Sequence, residues 1–156
     1  MQSILALAGF VGLGLLAGAV GVGITVANIP TWYAHLPHPP GTPPDWVFGP
    51  VWTTLYILMG IAAWRVWSTG SDTSRAALRL WGWQLLVNAI WTPAFFGLHS
   101  PALALAILLL LLVLIGRTIA AFRAHDRLAA TLLVPYALWS CYATYLNAGF
   151  LWLNPG

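Results

Sequence analysis

The sequence predicts an all-α membrane protein, a bundle of five transmembrane helices with a long proline-rich loop between the first and the second. Three observations carry this expectation. Of 156 residues, 60% are hydrophobic and only 6% charged, whereas soluble domains carry about 25% charged residues and need them on their surface. Five apolar stretches, at 3–26, 45–67, 75–96, 101–122 and 128–151, reach the roughly 20 residues that cross a bilayer. All six basic side chains are arginines, and they gather at two of the four connections. The length suits a single integral membrane domain, residues 1–156, and is short for two domains.

The first stretch could be mistaken for a signal peptide with a cleavage site at Ala17-Gly18-Ala19. Met1-Gln2-Ser3 carries no Lys or Arg, however, and the apolar run continues to Ala27, so it reads as a membrane helix. Within it Gly14 and Gly18 form a small-xxx-small pair, suited either to packing inside the monomer or to a dimer seam. The first connection, 28–44, holds six prolines together with Trp32, Tyr33, His35 and His38. A loop of this length in so small a bundle is usually functional, and a lid is the expectation; Trp32 and Tyr33 suit a membrane interface. Pro50, Pro93 and Pro135 fall in or near the starts of helices two, three and five, where proline kinks a helix and frees carbonyls for neighbouring groups. Ser71 or Asp72 is the expected N-cap of helix three, Ser100 before Pro101 that of helix four, and Asp126 that of helix five.

Topology follows from the arginines. Arg65, Arg75 and Arg79 flank the second connection, and Arg117, Arg123 and Arg127 the fourth. The positive-inside rule makes both cytoplasmic, which puts the N-terminus inside and the C-terminus outside a bacterial inner membrane.

Composition narrows the chemistry further. No basic run or stripe exists to bind nucleic acid, and the lone Cys141 allows neither an intramolecular disulfide nor a cysteine metal cluster. No Asp, Glu or His falls at mid-membrane depth, which argues against proton pumps, voltage sensors and ion-coupled transporters. Asp45, Asp72 and Asp126 all lie at helix ends, so no carboxylate pair or Ser-His-Asp set is expected and no conventional catalytic residue is assigned. His35, His38 and His99 read as interfacial or solvated groups rather than metal or haem ligands. Neutral polar groups and aromatics remain. Gln84, Asn88, Trp91 and Phe95 share one face of helix three; Pro135, Trp139, Ala143 and Asn147 share one face of helix five; Trp52 and Tyr56 pair on helix two. Turned together, these faces would wall a small-molecule pocket with indoles and amide handles. Interhelical hydrogen bonding and plain packing explain the same spacing, and spacing alone leaves the two readings level.

Three segments resemble the translocator proteins, also known as tryptophan-rich sensory proteins or peripheral-type benzodiazepine receptors. They are Trp32-Tyr33 followed by the run from Pro43-Pro44-Asp45-Trp46 through Trp52 and Tyr56 to Gly60; the run from Gln84 through Asn88, Trp91 and Pro93 to Gly97; and Pro135-Tyr136-Ala137-Leu138-Trp139 with Tyr142 through Asn147. The resemblance covers nearly the whole chain. It implies a five-helix bundle, commonly a homodimer, that needs no obligatory cofactor. It implies porphyrin or other tetrapyrrole ligands and, in some members, sterol-like and benzodiazepine-site ligands, beside membrane lipid. Carried over by position, the family pocket points to Trp32, Tyr33, Trp46, Trp52, Asn88, Trp91, Trp139, Ala143 and Asn147, beside Tyr56 and Gln84 of the stripes.

This chain departs from the family pattern in three places. His38 stands where a lysine usually precedes proline, so a fixed partner for a porphyrin carboxylate becomes a titrating one. Gly41 stands where many members have a loop tryptophan. The sterol motif of helix five lacks both its Tyr, replaced by Ala148, and its basic residue, so strong sterol binding is not expected. The expected function is a membrane receptor or translocator for porphyrins, with a sensory, regulatory or transport role. The alternatives are light- and oxygen-dependent porphyrin breakdown, with Trp52 and Trp139 as redox-active indoles, and a regulatory scaffold.

Overall fold

Proline and glycine set where the helices break. The structure, a computed structural model, describes residues 2–154, so Met1, Pro155 and Gly156 of the expected 1–156 domain lie outside it. Among the described residues seven α-helices form: α1 (Gln2–Ala19), α2 (Val22–Asn28), α3 (Phe48–Ser68), α4 (Ser74–Thr92), α5 (Pro101–Arg123), α6 (Arg127–Leu132) and α7 (Val134–Leu153). No strand occurs among the described residues. The helices assemble into five rods, because α1 runs on into α2 past Val20 and Gly21, and α6 into α7 past Leu133, just before Pro135. At Pro93 the ring cannot supply the amide that continues α4. The chain answers with a π-helical turn, Pro93–Gly97, closed by the Leu98 amide donating to the Pro93 carbonyl at 2.9 Å.

The connection between α2 and α3 carries 3₁₀ turns at Tyr33–His35 and Asp45–Val47, the second leading directly into α3. Two expected caps form: Ser100 accepts from the Leu103 amide at 3.3 Å and Asp126 from the Ala129 amide at 2.9 Å. The expected cap of α4 does not. Its N-cap position is Thr73, whose side chain accepts no capping bond from the helix; Asp72 is drawn to Arg75 at 3.3 Å and Ser71 Oγ bonds Thr73 Oγ1 at 2.9 Å.

Packing is set by glycine on the first rod. A Cβ on Gly14 would stand 2.8 Å from the Tyr56 carbonyl oxygen, and one on Gly18 would stand 2.3 Å from the Tyr56 ring. The small-xxx-small pair therefore serves α1–α3 contact within the chain. The main core joins Met59, Ala63 and Val66 of α3 with Leu108, Leu111 and Ile115 of α5 and Tyr136 of α7; a second cluster gathers Tyr33, Phe95, Phe96 and Phe150. Outward, apolar side chains face the surroundings on α1, α5 and α7, among them Leu16, Val113 and Leu138, as expected where lipid is the solvent. Among the described residues, three segments are long and apolar enough to cross a membrane: Gln2–Asn28, Asp45–Ser68 and Pro101–Arg123.

Arg65 at the end of α3 pairs with Asp126 before α6 at 2.7 Å. The second and fourth connections thus meet at one end of the bundle. The candidate site lies towards the other.

Candidate functional site

A cavity of about 510 Å³ opens in the half of the bundle away from the Arg65–Asp126 pair. Ligand pockets commonly enclose about 300–1,000 Å³. Its walls are the break between α1 and α2, the first two turns of α3, the end of α4 with its π turn, and the last half of α7. Each wall has a local cause. Gly18 and Gly21 let the first rod approach Tyr56 and Thr92 closely, where a Cβ would stand 2.3 Å and 2.5 Å from their side chains. The π turn delivers Phe95 and Phe96, both buried, with Phe95 stacked on Trp91 at 5.5 Å and 20°.

Of the residues expected at the site, Tyr33, Trp46, Trp52 and Tyr56 line this cavity from the connection and α3. Asn88, Trp91, Ala143 and Asn147 line it from α4 and α7. Four others do not. Trp32 stacks on His99 with ring centroids 4.4 Å apart and 14° between planes; His99 in turn bonds Asn28 Oδ1 at 2.7 Å. Gln84 lies one turn deeper than Asn88, where Nε2 donates to Met59 Sδ at 3.8 Å and Oε1 is buried without a partner. Trp139 packs on Phe48 and Tyr142 at 6.0 and 5.5 Å; it backs a wall residue instead of facing the space, so of the two indoles Trp52 alone reaches the cavity. His38 is exposed, edge-on to Tyr33 at 4.8 Å and Phe150 at 5.3 Å.

The expected amide handles are already engaged. Asn88 Oδ1 accepts from Tyr56 at 2.6 Å, and its Nδ2 donates to the Tyr136 hydroxyl at 3.2 Å. Asn147 Oδ1 accepts from the Trp91 indole at 3.2 Å, and its Nδ2 donates to the Pro101 carbonyl at 2.7 Å. A ligand gains little by competing for groups so satisfied. Recognition falls to shape and aromatic faces, reinforced by Trp52 stacked on Tyr56 at 5.6 Å and 28°. Sequence reasoning missed Phe96, Phe150 and the wall given by the first rod. It also missed Asp45, which lines the cavity beside exposed Trp46. Adjacency to Trp46 was the one available signal for Asp45.

The connection is strapped to α7. The Tyr142 hydroxyl donates to the Gly41 carbonyl and the Tyr145 hydroxyl to that of Pro40 at 2.9 Å. Asn154 Nδ2 reaches the Pro37 carbonyl at 3.3 Å. Pro39 lies over Gly149, where a Cβ would approach it to 2.5 Å. Beneath this strap Tyr33 is 5% exposed, and burial, with the Asp45 charge adding to it, pushes its phenol up to about 12.

Known proteins resemble this chain over most of its length. The profile of the TspO/MBR family matches residues 10–153. The chain is 40% identical over 156 residues, 99% of each chain, to the tryptophan-rich protein TspO of Chlorobaculum tepidum. It is 42% identical over 123 residues, 79% of this chain and 77% of the relative, to the tryptophan-rich sensory protein of Cereibacter sphaeroides. It is 43% identical over 119 residues, 74% of this chain and 70% of the relative, to the translocator protein of Homo sapiens.

Proposed function

The chain belongs to the TspO/MBR family of membrane proteins, and from that premise we propose that it is a sensory or translocator protein that takes porphyrins into the aromatic cavity. The observation that carries this reading is the cavity itself, about 510 Å³ walled by Trp52, Trp91, Phe95 and Phe96, with its asparagines satisfied internally. A broad apolar π-system suits such walls; a small polar solute does not.

All five rods cross the membrane in this reading. The third rod, 74–97, and the fifth, 127–153, are long enough, since about 24 residues rise roughly 36 Å. Their hydropathy is lowered by Gln84, Asn88, Ser140 and Asn147, all buried inside the bundle and away from lipid. The arginine end faces the cytoplasm of a bacterial inner membrane, so the N-terminus is inside and the cavity belongs to the outer half. A second copy is the expected partner, and the connection over α7 acts as the lid.

The test is a titration of protoporphyrin into purified protein in the dark, beside the Ala143→Leu variant. Wild type should show saturable quenching of its tryptophans. Ala143 lines the cavity, so leucine there should weaken binding by about 1–3 kcal/mol, the cost of overfilling a fitted space, with little change in melting temperature. Unchanged affinity in the folded variant would remove the ligand from this cavity.

A further inference from the structure

The cavity's charge is one-sided. Asp45 is the single charged residue on its wall, and it is also solvent-exposed, which puts it at the opening. Among the described residues it has no ion-pair partner; the two ion pairs are Arg65–Asp126 and Arg75–Asp72. All six arginines that give the chain its net +3 stand at the far connections. From Trp52 to Arg65 the helix alone rises roughly 20 Å, beyond about 10 Å of screening length at ordinary ionic strength. The opening is therefore negative in a protein whose overall charge is positive. Beside Asp45, Trp46 is 75% exposed, and Trp52 lines the same space. A carboxylate next to indole faces is the chemistry that holds an organic cation, by charge and by the ring quadrupole. The asparagines deeper in offer nothing comparable, being bonded to Tyr56, Tyr136, Trp91 and Pro101.

We propose that the cavity selects cationic amphiphiles, with an apolar aromatic body in the space against Trp52 and a positive centre held at the opening by Asp45 beside Trp46. This rests on the cavity being the ligand site, and it names the charge class that site prefers. Carboxylate-bearing ligands meet Asp45 as a like charge. A porphyrin whose carboxylates are esterified should therefore bind more tightly than its free acid.

Tetraphenylphosphonium and tetraphenylborate are probes of one shape and opposite charge. Binding of each is measured by calorimetry to the full chain in phosphatidylcholine nanodiscs at pH 8, above the ordinary histidine range. Wild type, Asp45→Asn, Asp45→Glu and Ala143→Leu are compared. Asp45→Asn should weaken the cation about tenfold, the order of a charge pair near solvent, and leave or tighten the anion. Asp45→Glu should keep the wild-type preference. Ala143→Leu should weaken both ions alike. If Asp45→Asn shifts both ions equally or neither, the charge selection is wrong while the cavity reading stands on Ala143→Leu. If Ala143→Leu changes neither ion, the probes bind elsewhere and both readings fall. Absence of saturable binding by the cation overturns the proposal outright.

Discussion

The ring of Tyr56 lies on the backbone of Gly18, so close that a Cβ there would stand 2.3 Å from Cε2 and 2.8 Å from Cδ2. The ring cannot swing aside, because its hydroxyl donates to Asn88 at 2.6 Å and Trp52 stacks on it at 5.6 Å. Gly18→Ala should therefore push α1 from α3 at a cost of about 1–3 kcal/mol and distort the cavity they share. Gly9, with nothing within 4 Å of a built Cβ, is the control. Melting temperatures should fall for Gly18→Ala and hold for Gly9→Ala; equal values would mean that the contact is not tight.

Tyr56→Phe isolates the hydrogen bond from the packing. It keeps the ring and removes the donor to Asn88 Oδ1, in a residue only 4% exposed. In a soluble core such an orphaned acceptor costs about 1–3 kcal/mol. Between membrane helices the measured values are smaller, about 0.6 kcal/mol on average and about 1.7 at most. A loss within that lower range is expected in a reversible unfolding assay. A larger one would mean that the Tyr56–Asn88–Tyr136 chain acts cooperatively.

Acid should loosen the end that carries the arginines. Burial works against the Asp126 carboxylate, but the Ala129 amide and the hydrogen bond and charge of Arg65 together hold its pKa below the ordinary value. A depressed pKa contributes stability that is present above the unfolded value and lost as pH falls through the folded one. Melting temperature should therefore be flat near neutrality and decline below about pH 4, and Asp126→Asn should remove that part of the decline. The same acid slope in wild type and variant would assign the effect to other groups.

Helix existence was legible because hydrophobic runs of membrane length have few other uses, and the caps at Ser100 and Asp126 because capping is local chemistry. The cap expected at Ser71 or Asp72 failed through competition: Arg75 and Thr73 took those side chains. Site residues follow the same logic. Helical spacing gives the direction a residue faces but not its depth, and the cavity ends at the Tyr56–Asn88 pair. Gln84 shares the face of Asn88 yet sits one turn too deep, against Met59. Trp139 shares the face of Ala143 but is spent supporting Phe48. Trp32 was diverted by a partner distant in sequence, His99. Asp45 and the strap contacts lie in a segment without periodicity, where no spacing argument applies.

The strap gives the last prediction. The Tyr145 hydroxyl holds the Pro40 carbonyl at 2.9 Å and Tyr142 holds that of Gly41, so two phenols one turn apart on the same face of α7 fasten one short stretch of chain. That stretch precedes Asp45 and follows Tyr33, both of which line the cavity. If the connection is the lid, freeing it should change how fast ligand enters and leaves more than how tightly it is held, because the walls on α3, α4 and α7 are untouched. Phenylalanine at both positions keeps the rings and their mutual stacking at 6.4 Å while deleting the two donors, each worth about 0.5–1.5 kcal/mol net. Stopped-flow porphyrin binding to Tyr142→Phe/Tyr145→Phe should show association and dissociation both accelerated several-fold. Hydrogen exchange should rise at the Gly41 and Thr42 amides, the latter bonded only locally to the Pro39 carbonyl at 3.2 Å. Slower exit with unchanged entry would mean that the strap shapes the bound state instead, and no kinetic change with faster exchange would mean that ligand passes between the helices without crossing the connection.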